Sequence, residues 1–133
     1  MRMIFVNLPV KDIVEARAFY AELGFPHNPA FSDDSATCIV ISEQIYAMLL
    51  QHERFSTFVR QPIADANTTT QVLLALSCDS RGEVDALHAK ALAAGGRDWM
   101  PAQDHGFMYG RSFQDLDGHV WELTWMDPAS IPG

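Results

Sequence analysis

Glu122 is the residue of this chain whose type and setting most invite chemistry. It lies inside DLDGHVWELTWMDP (residues 115–128), where alternating apolar side chains read as a half-buried β-strand. A carboxylate in such a strand can ligate a cation, move a proton for a substrate in a cleft, or form an ion pair. Without any of these it is costly, or its pKa rises. His119 stands three residues earlier, and odd spacing in a strand puts the two on opposite faces, so they do not chelate one ion together. Of the other histidines, His88 falls in a helical stretch beside apolar residues and reads as a packing residue, and His27 and His52 fall in loops. His105, in QDHGFMYG, sits on a loop entering the penultimate strand and is a candidate ligand contact at a cleft mouth. DLDG (residues 115–118) lacks the remaining positions of a calcium loop and reads as a turn. There is no GxSxG elbow, no Gly-rich phosphate loop and no cysteine placed against a histidine. Cys38 and Cys78 lie in apolar-alternating segments and read as buried free thiols, which implies a reducing, cytoplasmic setting.

Which way Glu122 points depends on the hairpin that ends the chain. A two-residue loop, Asp117-Gly118, would pair Phe113 with Glu122. A three-residue loop, Leu116-Asp117-Gly118 with Gly118 left-handed as a G1 bulge, pairs Ser112 with Glu122, Gly110 with Thr124 and Gln114 with Val120. The second register collects Phe113, Trp121, Leu123 and Trp125 on one face, and that sorting favours it. Glu122, Thr124, Ser112 and the Gly110 backbone are then expected on the opposite, concave side. Phe19, Tyr20, Trp121 and Trp125 read as core, and Trp99 and Tyr109 as candidate rim residues.

The elements that carry this hairpin occur twice. MIFVNLPV reads as a strand and leads into KDIVEARAFYAELGF, where Asp12 and Glu15 form a capping box. Ile13, Ala16, Phe19, Tyr20 and Leu23 share one helical face there, and Gly24 supplies the stop. SATCIVIS and IYAMLLQ follow as extended segments. From residue 71 the order repeats: strand QVLLALSC, a capping box at Ser80 and Glu83, a stripe of Val84, Leu87, Ala91 and Leu92, a stop at Gly95-Gly96, then two extended segments. Asp12 and Ser80 are 68 residues apart, Met48 and Glu122 74. The pattern predicts a duplicated β-α-β-β unit, with one further strand in each copy, for example near Phe31. Module one spans about 1–52 and module two about 71–128 within a single domain, 1–133. The connection, about 53–70, is long for a compact domain and carries one short helix with Phe55 and Phe58.

VKDIVEARAFYAELGF, AKALAAGG and FQDLDGHVWEL, taken together, resemble the vicinal oxygen chelate (VOC) superfamily. It includes glyoxalase I (lactoylglutathione lyase), bleomycin-resistance proteins, fosfomycin-resistance enzymes and extradiol dioxygenases. The resemblance covers nearly the whole chain. It implies an α+β fold of two tandem βαβββ modules forming a curled mixed sheet around a cleft, with helices on the outside, and a homodimer. Metal enzymes of that superfamily carry ligands on the first and last strand of each module. Carried over, those positions are Phe5, Met48, Leu73 and Glu122, and three of the four are apolar. No cofactor is therefore expected; a divalent metal would have to be completed by unmatched residues or a dimer partner. The expected ligand contacts are Phe5, Asn7, Met48, Leu73, Ala75, Ser112 and Glu122, with His105 at the mouth and Glu122 as the one candidate catalytic group.

The bulk numbers narrow the function classes. The chain has 133 residues, 48% of them hydrophobic, enough for one sizeable core. Its net charge is −8 and its nine Lys and Arg are scattered, which argues against nucleic acid. No apolar run reaches the ~20 residues of a membrane span, and MRMIFVNLPV is too short in apolar residues for a signal peptide. An acidic surface suits a neutral or cationic small molecule, and above all solubility. The expected function is small-molecule binding of the glyoxalase or bleomycin-resistance kind. The alternative is a lyase, isomerase or dioxygenase using Glu122 as base or metal ligand, and a third reading is a dimeric interaction domain with a vestigial cleft.

Overall fold

The structure, a computed structural model, describes residues 1–130. The chain divides into two compact units, Met1–Asp65 and Ala66–Gly133, each with its own mixed, unclosed sheet and with a helix on one face of that sheet.

The first unit runs β1 (Ile4–Val10), α1 (Ile13–Glu22), β2 (His27–Asn28), β3 (Ala36–Val40), β4 (Ile45–Gln51) and α2 (His52–Ser56). Its strand order is β1-β4-β3-β2, with β1 parallel to β4 and the other pairs antiparallel. The Asp12 carboxylate accepts from the Val14 and Glu15 amides at 2.9 and 3.1 Å, satisfying donors that the first turn leaves open. Ile13, Ala16, Phe19, Tyr20 and Leu23 are all buried as their spacing predicts, against Ile39, Ala47 and Leu49 of the sheet. Gly24 takes φ 89°, the left-handed stop. Replacing Asp12 by alanine should cost about 1 kcal/mol of stability, read by denaturant titration.

Three expectations shift here. The further strand is only His27–Asn28, and Phe31 lies in a 3-10 turn, Pro29–Phe31, which Asn28 caps through the Ala30 amide at 3.0 Å. A proline at the first position presets that turn. His27 thus pairs with Ile39, and His52 opens α2, so neither lies in a loop. That helix ends at Ser56, leaving Phe58 exposed beyond it with the Arg54 guanidinium 5.7 Å from its ring centre.

The second unit runs β5 (Leu73–Cys78), α3 (Arg81–Ala93), β6 (Arg97–Asp98), β7 (Gln103–Asp104), β8 (Met108–Gln114) and β9 (Val120–Met126). The order is β5-β9-β8-β6, with β7 also pairing β8, and β5 runs parallel to β9. Ser80 caps α3 through the Glu83 amide at 3.0 Å, and Glu83 reaches back to the Asp79 amide at 3.2 Å. The buried stripe is Val84, His88 and Ala91, while Leu92 is exposed. At 100° per residue, position 91 falls within about 20° of position 84 and position 92 about 80° away, so His88 takes the place expected of leucine.

The closing hairpin adopts the bulged register. Asp115 and His119 pair through Asp115 N–H to His119 O at 2.9 Å, Gly118 has φ 90°, and Ser112 stands opposite Glu122. The Asp115 carboxylate fixes the turn by accepting from the Asp117 and His119 amides, both at 2.9 Å. Phe113, Trp121 and Leu123 are buried on the helix side, and Trp125 is half-buried.

Candidate functional site

The face of the second sheet turned away from α3 carries a hollow of about 190 Å³. Alternation on β8 and β9 sends Gly110, Ser112, Glu122 and Thr124 to its floor, and Met100, Pro101, Gln103 and Met108 form its wall. Gly110 keeps the floor deep, because a Cβ there would stand 3.4 Å from the Leu123 carbonyl oxygen and 3.8 Å from the Thr124 hydroxyl. Ser112 is 6% exposed, and its hydroxyl accepts from the Met100 amide at 3.1 Å, tying wall to floor.

Glu122 is half-buried, and its carboxylate has no hydrogen-bond or ion-pair partner among the described residues of its unit. Arg111 also lines the hollow, but its guanidinium reaches toward Asp85, at 3.9 Å, and makes no ion pair with Glu122. The carboxylate is therefore available to a ligand. Its surroundings are apolar side chains, two hydroxyls, an amide and part of Arg111.

Of the expected contacts, Ser112 and Glu122 meet in this hollow. Ala75 pairs directly with Glu122 across β5 and β9 but lines an adjoining groove of about 510 Å³ with Ser77, Trp125 and Met126, Thr124 lining both. Leu73 lies further along the same strand, 52% exposed. His105 is at an exposed tip beside Phe107, ring centres 6.4 Å apart, outside the hollow's lining. In the first unit Phe5, Asn7 and Met48 share one sheet face, where Phe5 stacks on Tyr46 at 4.7 Å and the Asn7 amide donates to the Phe5 carbonyl at 3.0 Å.

One aromatic reading changes. Tyr109 belongs to the helix face, its hydroxyl donating to Asp85 at 2.6 Å, which pushes its pKa up. Trp99 is exposed and its backbone bonds to Ser112. His88 is 2% exposed, with its Nε2 2.9 Å from an Asp98 carboxylate oxygen, a packing role as its helical setting predicts. Met100, Pro101, Gln103 and Met108 were not foreseen. The available signal was the polar-apolar mixture of MPAQDHGFMYG beside a short strand pair, and it does not distinguish a wall from a solvated loop.

The donor set does not suit a divalent cation. Among the described residues no three His, Cys, Asp or Glu side chains converge, and on its own face Glu122 is flanked by Ala75, Ser112 and Thr124. Cys38 and Cys78 are free and buried. Burial, aided by Glu83 and Asp79, pushes the Cys78 thiol from 9.0 up to about 12. Cys78 should therefore resist iodoacetamide at pH 8 in the native protein, at least about tenfold against a free cysteine, as read by mass spectrometry. The same shift makes stability fall as pH rises from about 9 to about 12, where the unfolded chain ionises this thiol and the native chain does not.

The family model described as Glyoxalase/Bleomycin resistance protein/Dioxygenase superfamily matches residues 2–123. Among solved structures, a hypothetical protein from S. aureus is 28% identical with a TM-score of 0.79, over 94% of each chain. A glyoxalase/bleomycin resistance protein/dioxygenase family enzyme from Burkholderia phytofirmans PsJN is 20% identical with a TM-score of 0.77, over 95% of this chain and 99% of its own. A genomically encoded fosfomycin resistance protein from Listeria monocytogenes is 19% identical with a TM-score of 0.67, over 94% and 93%. At such identities the last two speak for the fold alone. Among curated proteins, none matches the chain closely enough to show a relationship. No helix among the described residues is long and apolar enough to cross a membrane. With its duplicated strand-helix-strand units and a family match over nearly its full length, this chain belongs to the glyoxalase/bleomycin resistance protein/dioxygenase superfamily.

Proposed function

We propose that this protein binds a small cationic molecule, without a resident metal, and that the hollow on the second sheet receives the charged end of that ligand. The observation that carries the reading is the Glu122 carboxylate, half-buried on the floor of an apolar-walled hollow and left without a partner in its unit. An unpaired carboxylate in such a setting attracts a cation that brings its own hydrogen-bond donors. The two hydroxyls and the Gln103 amide add polar contacts of fixed direction, as small-ligand sites use. The net charge of −8 draws cations toward the protein at long range. A volume of 190 Å³ equals about six waters of liquid, room for an ammonium or guanidinium group on a short apolar stem.

Calorimetric titration with alkylammonium and guanidinium compounds, alongside cationic antibiotics, tests this. Cations should bind and their neutral isosteres should not. Uniformly absent binding would sink the reading. Elemental analysis of protein purified without chelator separates it from the enzymatic rival, a lyase, isomerase or dioxygenase in which Glu122 is base or metal ligand. Stoichiometric zinc, nickel, manganese or iron would overturn the metal-free assignment.

A further inference from the structure

Three of the four wall residues, Met100, Pro101 and Gln103, lie on an arm, residues 99–107, exposed along its whole length, while Met108 belongs to β8. It buries no apolar side chain, and its backbone is tied at its two ends and at β7. Trp99 and Met100 bond to Ser112, and β7 pairs with β8 at two positions, Gln103 with Gly110 and Asp104 with Tyr109. The His105 amide donates to the Met108 carbonyl at 2.8 Å, and the Phe107 carbonyl accepts from the Asp127 amide at 2.7 Å. Segments with so little buried apolar surface open at low free energy unless something specific holds them.

One side chain supplies that hold. Arg81, the first residue of α3, donates to both oxygens of the Asp104 carboxylate at 2.8 Å and to the Gly106 carbonyl at 2.9 Å. Its guanidinium lies 5.1 Å from the Tyr109 ring centre and 5.2 Å from that of Trp125, and Asp85 fixes the Tyr109 hydroxyl. A forked, two-point grip combined with two aromatic contacts is the strong form of an arginine–carboxylate pair. Its members are still 39% and 53% exposed, so on release both charges return to water at small cost.

We propose that the arm is a movable wall and that Arg81 is its latch, a positioning residue that sets how often the hollow stands open. Arm motion carries Met100, Pro101 and Gln103 away from the floor while β8 and β9 stay in place. That this motion admits a ligand rests on the proposed use of the hollow; the motion itself does not.

Hydrogen exchange on the ligand-free protein tests the latch. In Arg81→Gln, amides of residues 99–107 should exchange about tenfold faster, with those of α3 and β9 unchanged. Arg81→Lys, which keeps the charge and loses the fork, should fall between the two, and Asp104→Asn should act in the same direction. A thiol placed on the floor by Thr124→Cys, which leaves the Ser112 tie intact, should react with a methanethiosulfonate reagent about tenfold faster when combined with Arg81→Gln, resolved by site in mass spectrometry. Unchanged arm exchange would overturn the proposal, as would a rise spread over the whole unit or a floor thiol indifferent to Arg81. Absence of amine binding by the natural protein would defeat the ligand reading and leave these two measurements to decide the arm on their own.

Discussion

Alanine in place of Gly118 destabilises the protein by about 2–5 kcal/mol, whereas alanine in place of Gly24 costs about 1–2 kcal/mol. Both glycines hold positive φ, 90° and 89°, so both substitutions carry the left-handed strain of an L residue. They differ in space. A Cβ at Gly24 meets nothing within 4 Å, while at Gly118 it would stand 2.8 Å from the Ala66 carbonyl carbon and from the Asn67 nitrogen. Backbone on that side cannot rotate away as a side chain would, so the loop or the 66–67 segment must shift. Denaturant unfolding of the two variants side by side measures the difference, and equal losses would show that the contact relaxes freely. The effect also reaches the site. The bulge at Gly118 sets the register that places Ser112 opposite Glu122, so hollow binding should weaken along with stability.

Glu122→Gln separates binding from folding. With no partner inside its unit the carboxylate contributes no native contact there, so its removal should leave stability within about 0.5 kcal/mol. Affinity for an alkylammonium ligand should fall about 10- to 100-fold, the usual worth of a hydrogen bond to a charged group. A variant that loses stability instead would mark Glu122 as a structural residue, and one that loses neither would empty the proposed function of its central group.

Much of this could be read from the amino-acid order because several local rules agree. Cap chemistry at Asp12 and Ser80, apolar spacing in the helices and a stop at Gly24 or Gly95 all specify the same boundaries. The direction of Glu122 was legible for the same reason, since only the bulged turn collects Phe113, Trp121 and Leu123 on one face. Other features depend on contacts that sequence spacing does not encode. His88 replaces leucine in the buried stripe because Asp98, ten residues on, accepts its ring nitrogen. Tyr109 turns to the helix because Asp85 and Arg81 wait there. The arm that walls the hollow follows no periodicity, and Arg81 meets Asp104 across 23 positions of chain. For the same reason His105, a histidine close to that wall in sequence, ends at the exposed tip instead.

The contact beneath Gly118 also says where this polypeptide can be cut. Ala66 and Asn67, by order alone the tail of a connection, are wedged under the terminal turn, and Arg97 donates to the Asn67 side chain at 2.6 Å. A break between residues 65 and 66 therefore keeps Ala66 and Asn67 with the turn they support. A junction at residue 70 would strip the later fragment of the floor on which its last turn rests.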